Sequence, residues 1–320
     1  MNKKLTAVLS FFGLGITSVA SLSAVNKAIS QLAVSKELLN SKNKGTYHWR
    51  FGDISYIAAG EGKPVLLIHN LKEDSSSAEW SEIFHKLSAV NTVYCIDLLG
   101  CGLSERPDIT YTSYMYTQLV NDFIRNIIKK KTNIIATGRS ASFVLDACNI
   151  DEEIYEELIL INPENIKVLH KMPSKRTRTA AFLLKLPTIG TFIYHILTAK
   201  KRIVENFKNN YFYDAEKIPD ALYDYYYESS HLKGKDAKNL FVSLTGRYTN
   251  ANIIQTLKNI NKNIHILAGN EISGIEETVK EYQYYNPAIE AEYISYTKEL
   301  PQLEAPNKIL RYIRLYLDND

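Results

Sequence analysis

The chain is poor in the residues that build stapled, metal-bound or strongly charged proteins. Only three cysteines, Cys95, Cys101 and Cys148, occur in 320 residues. Their odd number and the lack of C-x-x-C or Cys/His ligand spacing argue against a disulfide framework or a metal centre, so we expect buried free thiols. A large excess of charge of one sign is missing as well. With 38 basic and 35 acidic residues the formal charge is +3, which argues against a nucleic-acid partner. No internal repeat is present, and 45% apolar with 23% charged residues excludes disorder and collagen-like sequence. What the chain does have in quantity is tyrosine, at 22 residues.

Charged residues are absent from Leu5 to Asn26, a run that follows Lys3 and Lys4. Its length suits a membrane-spanning helix, and Ser21-Leu22-Ser23 resembles a small-x-small cleavage site. We therefore expect an N-terminal anchor, with a removed signal peptide or a soluble helix as alternatives, and a membrane-associated protein. Lysines on both sides of the run assign no orientation.

From Tyr47 onward strand-like and helix-like stretches alternate, the pattern of a mostly parallel sheet with helices on both faces. Strands are expected at His48–Phe51, Ile54–Ala58, Val65–His69, Thr92–Ile96, Asn133–Ala136, Leu158–Ile161, Ile264–Leu267 and Glu292–Ser295. Helices are expected at Ala78–Leu87, Tyr114–Ile128, Ser142–Cys148, Ile275–Tyr284 and Leu303–Leu317. A helical, aromatic-rich interval breaks this rhythm. The expected organisation is an anchor or signal with linker at 1–45, an α/β core at 46–165, an inserted helical cap at 166–260 and the rest of the core at 261–320.

The strand ending at Ala136 runs into Thr137-Gly138-Arg139-Ser140-Ala141-Ser142 and then a helix. Small-x-Ser-x-small between strand and helix is the context of a nucleophile elbow. It makes Ser140 the candidate nucleophile, with Gly138 and Ser142 as the small flanks that a strained turn requires. The Ala141 amide at the helix N-terminus then faces a developing oxyanion.

Three further stretches occur in order. They are Val65-Leu66-Leu67-Ile68-His69-Asn70, Asp97-Leu98-Leu99-Gly100-Cys101-Gly102-Leu103-Ser104 and Leu300-Pro301-Gln302-Leu303-Glu304-Ala305-Pro306. With the elbow they resemble the α/β-hydrolase superfamily over residues 47–165 and 260–318. The resemblance implies an α/β-hydrolase fold, a second oxyanion amide at Leu71, a structural role for His69 and no cofactor.

It also implies a catalytic histidine immediately before Leu300, and that residue is Glu299. None of the seven histidines lies near this loop. The acid position is irregular too: Glu271 follows the strand at 264–267, and Glu164 is a second candidate. A carboxylate near pKa 4.3 is a poor base toward a hydroxyl, and losing a triad member costs roughly 10⁴-fold or more in turnover. Two functions follow. One is a serine hydrolase of esters or other acyl substrates using Ser140, Glu271 and Glu299, with a cap histidine among His170, His195 and His231 or the substrate itself as an alternative source of the base. The other is a non-catalytic hydrolase-fold protein that binds a ligand or partner in the old cleft.

Between Asn165 and Val204 there are nine Lys or Arg residues and no acidic one, with apolar stretches such as Ala180-Ala181-Phe182-Leu183-Leu184 between them. This pattern suits an anionic membrane surface, or a solvated basic helix packed on the core.

Overall fold

In a computed structural model the described residues are 19–39 and 44–317. Eight strands form one sheet: β1 Lys44–Trp49, β2 Gly52–Ala59, β3 Lys63–Ile68, β4 Asn91–Ile96, β5 Thr132–Thr137, β6 Tyr155–Ile161, β7 Ile264–Gly269 and β8 Glu290–Ile294. Their order is β1-β2-β4-β3-β5-β6-β7-β8. The two pairings of β2 are antiparallel and the rest are parallel. The helices are α1 (residues 19–33), α2 Ser81–Leu87, α3 Ser113–Phe123, α4 Ser140–Ile150, α5 Ile166–Leu169, α6 Lys175–Lys185, α7 Ile189–Leu197, α8 Lys200–Asn206, α9 Asp220–His231, α10 Asn239–Gly246, α11 Ile254–Asn259, α12 Ile275–Tyr285, α13 Pro301–Glu304 and α14 Pro306–Leu317.

The central strands are continuous apolar runs because both their faces are covered. Side chains alternate between two cores. Leu66, Ile68, Ile134, Ala136, Leu158 and Leu160 enter one, packed with α3 and α4. Val65, Leu67, Ile135, Ile159 and Ile161 enter the other, packed with α2 and α14. Each fully buried Val, Leu or Ile among them contributes about 1.5–3 kcal/mol. A one-residue slip of any strand would exchange its two sets, so the register is tightly specified.

The loop after β4 shows how sequence sets local geometry. Gly102 has φ +46°, and a Cβ there would lie 2.4 Å from the Asp97 carboxylate. That carboxylate accepts from the Ser77 amide at 2.7 Å and the Leu103 amide at 2.8 Å. Ser104 donates its hydroxyl to the Asp97 carbonyl at 2.6 Å and accepts from the Ser55 amide at 2.8 Å. The turn is thus a closed hydrogen-bonded unit that ties β2, β4 and the approach to α2 together.

No strand lies between β6 and β7; there Ile166 and Leu169 of α5 and Leu257 of α11 join the sheet core, while α6 to α10 form a helical cap. Its aromatic residues build a core of their own, in which Phe207 meets Tyr211, Tyr223 and Tyr226 edge-on at 4.9, 5.5 and 4.7 Å between ring centroids. This core also takes in Leu300.

The N-terminal segment differs from expectation in its described part. Asn26, Ser30 and Ala33 are buried at helical spacing. Asn26 donates to the Thr188 carbonyl at 2.8 Å, and Ser30 lies 3.4 Å from His195. Beyond α1, the Leu38 and Leu39 amides donate to buried Glu228 at 2.9 and 3.1 Å. The linker is therefore docked on the cap. Residues 5–18 of the expected anchor lie outside the described residues. Among the described residues no single helix is long and apolar enough to cross a membrane.

Candidate functional site

The strand ends at Thr137, and the next residue, Gly138, takes φ +54°. Arg139 is already in the right-handed helical region and Ser140 is the first residue of α4. An elbow places its nucleophile on the strained residue at the strand-to-helix turn. The structure therefore corrects the frame by two residues: Gly138 is the tip, and Ala136 and Ser140 are its small flanks. Gly138 and Ser142 do not flank a strained Ser140. The expectation missed because small residues repeat every second position from Ala136 to Ser142, so the motif fits in two registers.

Ser140 is 0% exposed, and its hydroxyl donates to the His69 carbonyl at 2.6 Å. The Ala141 amide is engaged with the Gly138 carbonyl at 3.3 Å, and the Ser142 hydroxyl bonds back to the Arg139 carbonyl at 2.8 Å. Leu71 is buried.

Asn70 occupies the space above the tip. A Cβ on Gly138 would fall 2.5 Å from Cγ and Oδ1 of Asn70. The same Oδ1 accepts from the Arg139 amide at 3.0 Å. That amide, next after the tip, is the donor an oxyanion would use in this frame, and it is satisfied from within the chain.

His69 is fully buried. Its Nε2 accepts from the Leu98 amide at 3.1 Å, so the proton sits on Nδ1, 2.7 Å from the Asn70 carbonyl. Burial holds its pKa below the usual value despite the pull of Asp97. Both ring nitrogens are spent on structure.

Above these residues lies a cavity of about 190 Å³ at the C-terminal ends of the central strands, bounded by Asn70, Glu79, Gly138, Arg139, Asn162, Glu164, Tyr211, Tyr226 and Glu299 among others. No histidine lines it. His195 and His231 stack on each other in the cap, with ring centroids 5.0 Å apart, and His170 is exposed.

The expected carboxylates divide. Glu299 lines the cavity, and burial, with Glu164 and Asp74 nearby and Lys72 opposing, holds its carboxyl above the usual range. Glu164 also lines it, paired with Arg139 at 3.2 Å. Glu271 does not: it is exposed, outside the lining, and its amide bonds to the Thr297 carbonyl at 3.0 Å.

Several residues here escaped the sequence. Glu79 is fully buried and accepts from the Asn70 amide at 3.2 Å, from Gln302 at 2.9 Å and from the Thr137 hydroxyl. Burial pushes its carboxyl up to about 7, against the pull of these donors. Asn162, at φ +46°, donates to the Lys298 and Glu299 carbonyls at 2.9 and 3.1 Å and accepts from the Gly269 amide at 2.7 Å. It thereby fixes the Glu299 loop across β6 and β7. From the cap, the Tyr211 hydroxyl meets Lys72, while the Tyr226 hydroxyl is buried without a hydrogen-bond partner among the described residues. Nothing in the sequence marks Glu79, since Ser77, Ser81 and a second carboxylate, Glu82, surround it in a polar helix start.

Cys95, Cys101 and Cys148 are free and buried, and burial pushes all three thiols up. Among the described residues no group of three His, Cys, Asp or Glu side chains could hold a metal.

No family profile matches the chain. Among curated proteins it is 27% identical over 139 residues to a 2-hydroxy-6-oxo-6-(2'-aminophenyl)hexa-2,4-dienoic acid hydrolase of Metapseudomonas resinovorans, covering 41% of this chain and 48% of that protein. A haloalkane dehalogenase of Agrobacterium fabrum is 25% identical over 129 residues, covering 40% of this chain and 42% of its own length. Each match therefore spans less than half of the relative. Among solved structures, a serine hydrolase involved in carbazole degradation superposes with a TM-score of 0.72 at 17% identity, over 87% of this chain and 99% of that one. A bacterial membrane phospholipase A gives a TM-score of 0.68 at 15% identity, over 99% and 98%. Strand order, helical layers and these superpositions agree: the chain has the α/β-hydrolase fold.

Proposed function

We propose that this chain is a non-catalytic member of its fold class, in which the former reaction cleft binds a small polar ligand. The observation that carries this is the elbow tip. Gly138 has no side chain to offer as a nucleophile, and Asn70 occupies the volume a nucleophile would need while its Oδ1 takes the Arg139 amide. Ser140 lies below the tip with its hydroxyl committed to His69. Glu299 stands where the resemblance implies a histidine. A serine hydrolase needs a nucleophile, a base and free oxyanion donors, and each is compromised by a different residue.

The cleft nevertheless keeps groups suited to recognition. The Tyr226 hydroxyl is buried and unpartnered, and no hydrogen bond among the described residues reaches the Glu299 carboxylate. A buried polar group left unpaired costs about 1–3 kcal/mol, which a ligand that pairs with it returns. The hydrolase alternative would require Ser140 to leave His69 and turn into a cavity it does not line.

The test is labelling by a fluorophosphonate serine probe, on wild type and Ser140→Ala. The expected result is no covalent adduct on either. An adduct on the wild-type chain overturns the proposal, and the variant then assigns the serine.

A further inference from the structure

The hairpin of α6 and α7 turns apolar side chains outward. Phe182 and Leu183 near the end of α6 are 64% and 48% exposed, and Ile189, Ile196 and Leu197 on α7 are 51%, 46% and 40% exposed. On α7 these residues recur at i, i+7 and i+8, with half-buried Phe192 and Ile193 between, so they form one stripe along the helix. Isolated exposed leucines are ordinary. A stripe continued across a helical hairpin marks an interaction surface.

Charge indicates what covers it. Lys185 pairs with Asp108, Lys200 with Asp224 and Lys201 with Glu205. Lys167, Lys171, Lys175, Arg176, Arg178 and Arg202 are exposed and have no carboxylate within salt-bridge distance among the described residues. Unpaired cations beside exposed Phe, Leu and Ile match a surface that is anionic outside and apolar beneath. A nucleic acid would satisfy the cations and leave the stripe uncovered.

Geometry indicates how the surface is met. Lys175–Lys185 reaches the apolar length of a membrane span only when taken with Ile189–Tyr211, and the two stretches bend by 107° at the break between them. Within them the continuous helices α6 and α7 have 11 and 9 residues. At 1.5 Å per residue they reach about 16 and 14 Å, short of the roughly 30 Å of a hydrocarbon core. Ala181, Leu184, Tyr194 and His195 on their inner sides are buried in the protein. The hairpin therefore suits lying in an interface and not crossing it. Independently, α1 meets the cap at Thr188 and His195, on this same hairpin, so the uncharged run that begins at Leu5 joins the folded chain here.

We propose that the α6–α7 hairpin is a docking element for anionic lipid surfaces, seating Phe182, Leu183, Ile189 and Ile196 at the boundary of headgroups and acyl chains with Arg176 and Arg178 on the phosphates. This does not depend on whether the cleft is catalytic.

The test uses the full chain carrying Leu183→Cys labelled with bimane. The three native cysteines are 0% exposed and leave the introduced thiol as the reactive one. The probe is read against phosphatidylcholine vesicles with and without phosphatidylserine, each also made with brominated acyl chains. The expected result is a blue shift and bromine quenching on phosphatidylserine vesicles that weaken at high salt. Adding Arg176→Glu and Arg178→Glu, both at exposed positions, should weaken the quenching titration about tenfold or more. An unquenched probe on phosphatidylserine vesicles overturns the proposal, even if the protein sediments with them through its N-terminal run. Equal quenching on neutral vesicles, insensitive to the charge reversals, overturns the anionic-lipid assignment. A blue shift before any vesicle is added reports contact with a second copy and overturns it as well.

Discussion

Adding one methyl group at Gly138 tests whether the elbow tip is sterically closed. Gly138→Ala places a non-glycine residue at φ +54°, which costs about 1–2 kcal/mol. The new Cβ also falls 2.5 Å from Cγ and Oδ1 of Asn70, far inside van der Waals contact. Asn70 must rotate away, and the Arg139 amide then loses the acceptor it holds at 3.0 Å. Leaving that donor unpaired adds about 1–3 kcal/mol, so the single variant should lose roughly 2–5 kcal/mol. Asn70→Ala removes the clashing atoms and leaves only the backbone strain. In that background Gly138→Ala should cost about 1–2 kcal/mol, a coupling of about 1–3 kcal/mol between the two sites. Urea unfolding of the four proteins, with unchanged m-values as the condition for comparison, measures it. An equal cost of Gly138→Ala in both backgrounds would refute the packing argument, and with it the claim that no nucleophile fits at the tip.

Two pH effects should be separable by unfolding experiments. Glu79 binds its proton more tightly folded than unfolded, because burial lifts its carboxyl to about 7 from an unfolded value near 4.5. Its contribution is present below the unfolded value and is lost as pH rises toward 7, by roughly 3 kcal/mol. Stability of wild type relative to Glu79→Gln should fall between pH 4.5 and 7, and a difference that stays flat or rises contradicts the assignment. His231 behaves oppositely: burial pushes it down to about 4, against the Tyr227 carbonyl and with help from stacked His195. Stability it provides above pH 6.5 is lost as pH falls toward 4, again by roughly 3 kcal/mol. Because His195 meets Ser30 of α1, amide exchange in residues 19–33 should accelerate over that window, and a pH-independent pattern would count against the stacked pair as the cause.

Much of the fold was legible because parallel strands covered on both faces write themselves as apolar runs of limited length. All eight strands fall within a few residues of where the pattern places them. Helix ends were less so. The expected start of α4 at Ser142 is two residues late, since Arg139 and Ser140 carry no sign of which small residue bears the positive φ. The same ambiguity carries into the site: the spacing makes Gly138 a flank, Ser140 the nucleophile and Ala141 the oxyanion amide, whereas the positive φ falls on Gly138. Glu299 lines the cavity just ahead of the stretch Leu300 to Pro306 that locates it in the sequence. The role of Asn162 is not legible in the sequence, since it depends on the ends of β6 and β7 and the Glu299 loop meeting in space.

The stretches that carry the resemblance perform structural work here. The turn from Asp97 to Ser104 closes on its own hydrogen bonds, and Gly102 is required because Asp97 leaves no room for a Cβ. His69 stitches the β3 end to the loop after β4 through Leu98 and takes the Ser140 hydroxyl on its carbonyl. Gln302 reaches back to Glu79, which in turn holds Asn70 and Thr137. Each contact links elements distant in sequence, so losing one unsettles several strand ends at once. A nucleophile or a catalytic base bears no such load: it faces a cavity and can be exchanged at small cost in stability. On the non-catalytic reading proposed above, selection on folding alone would keep the scaffold motifs and leave the Glu299 position free to differ from the hydrolase pattern.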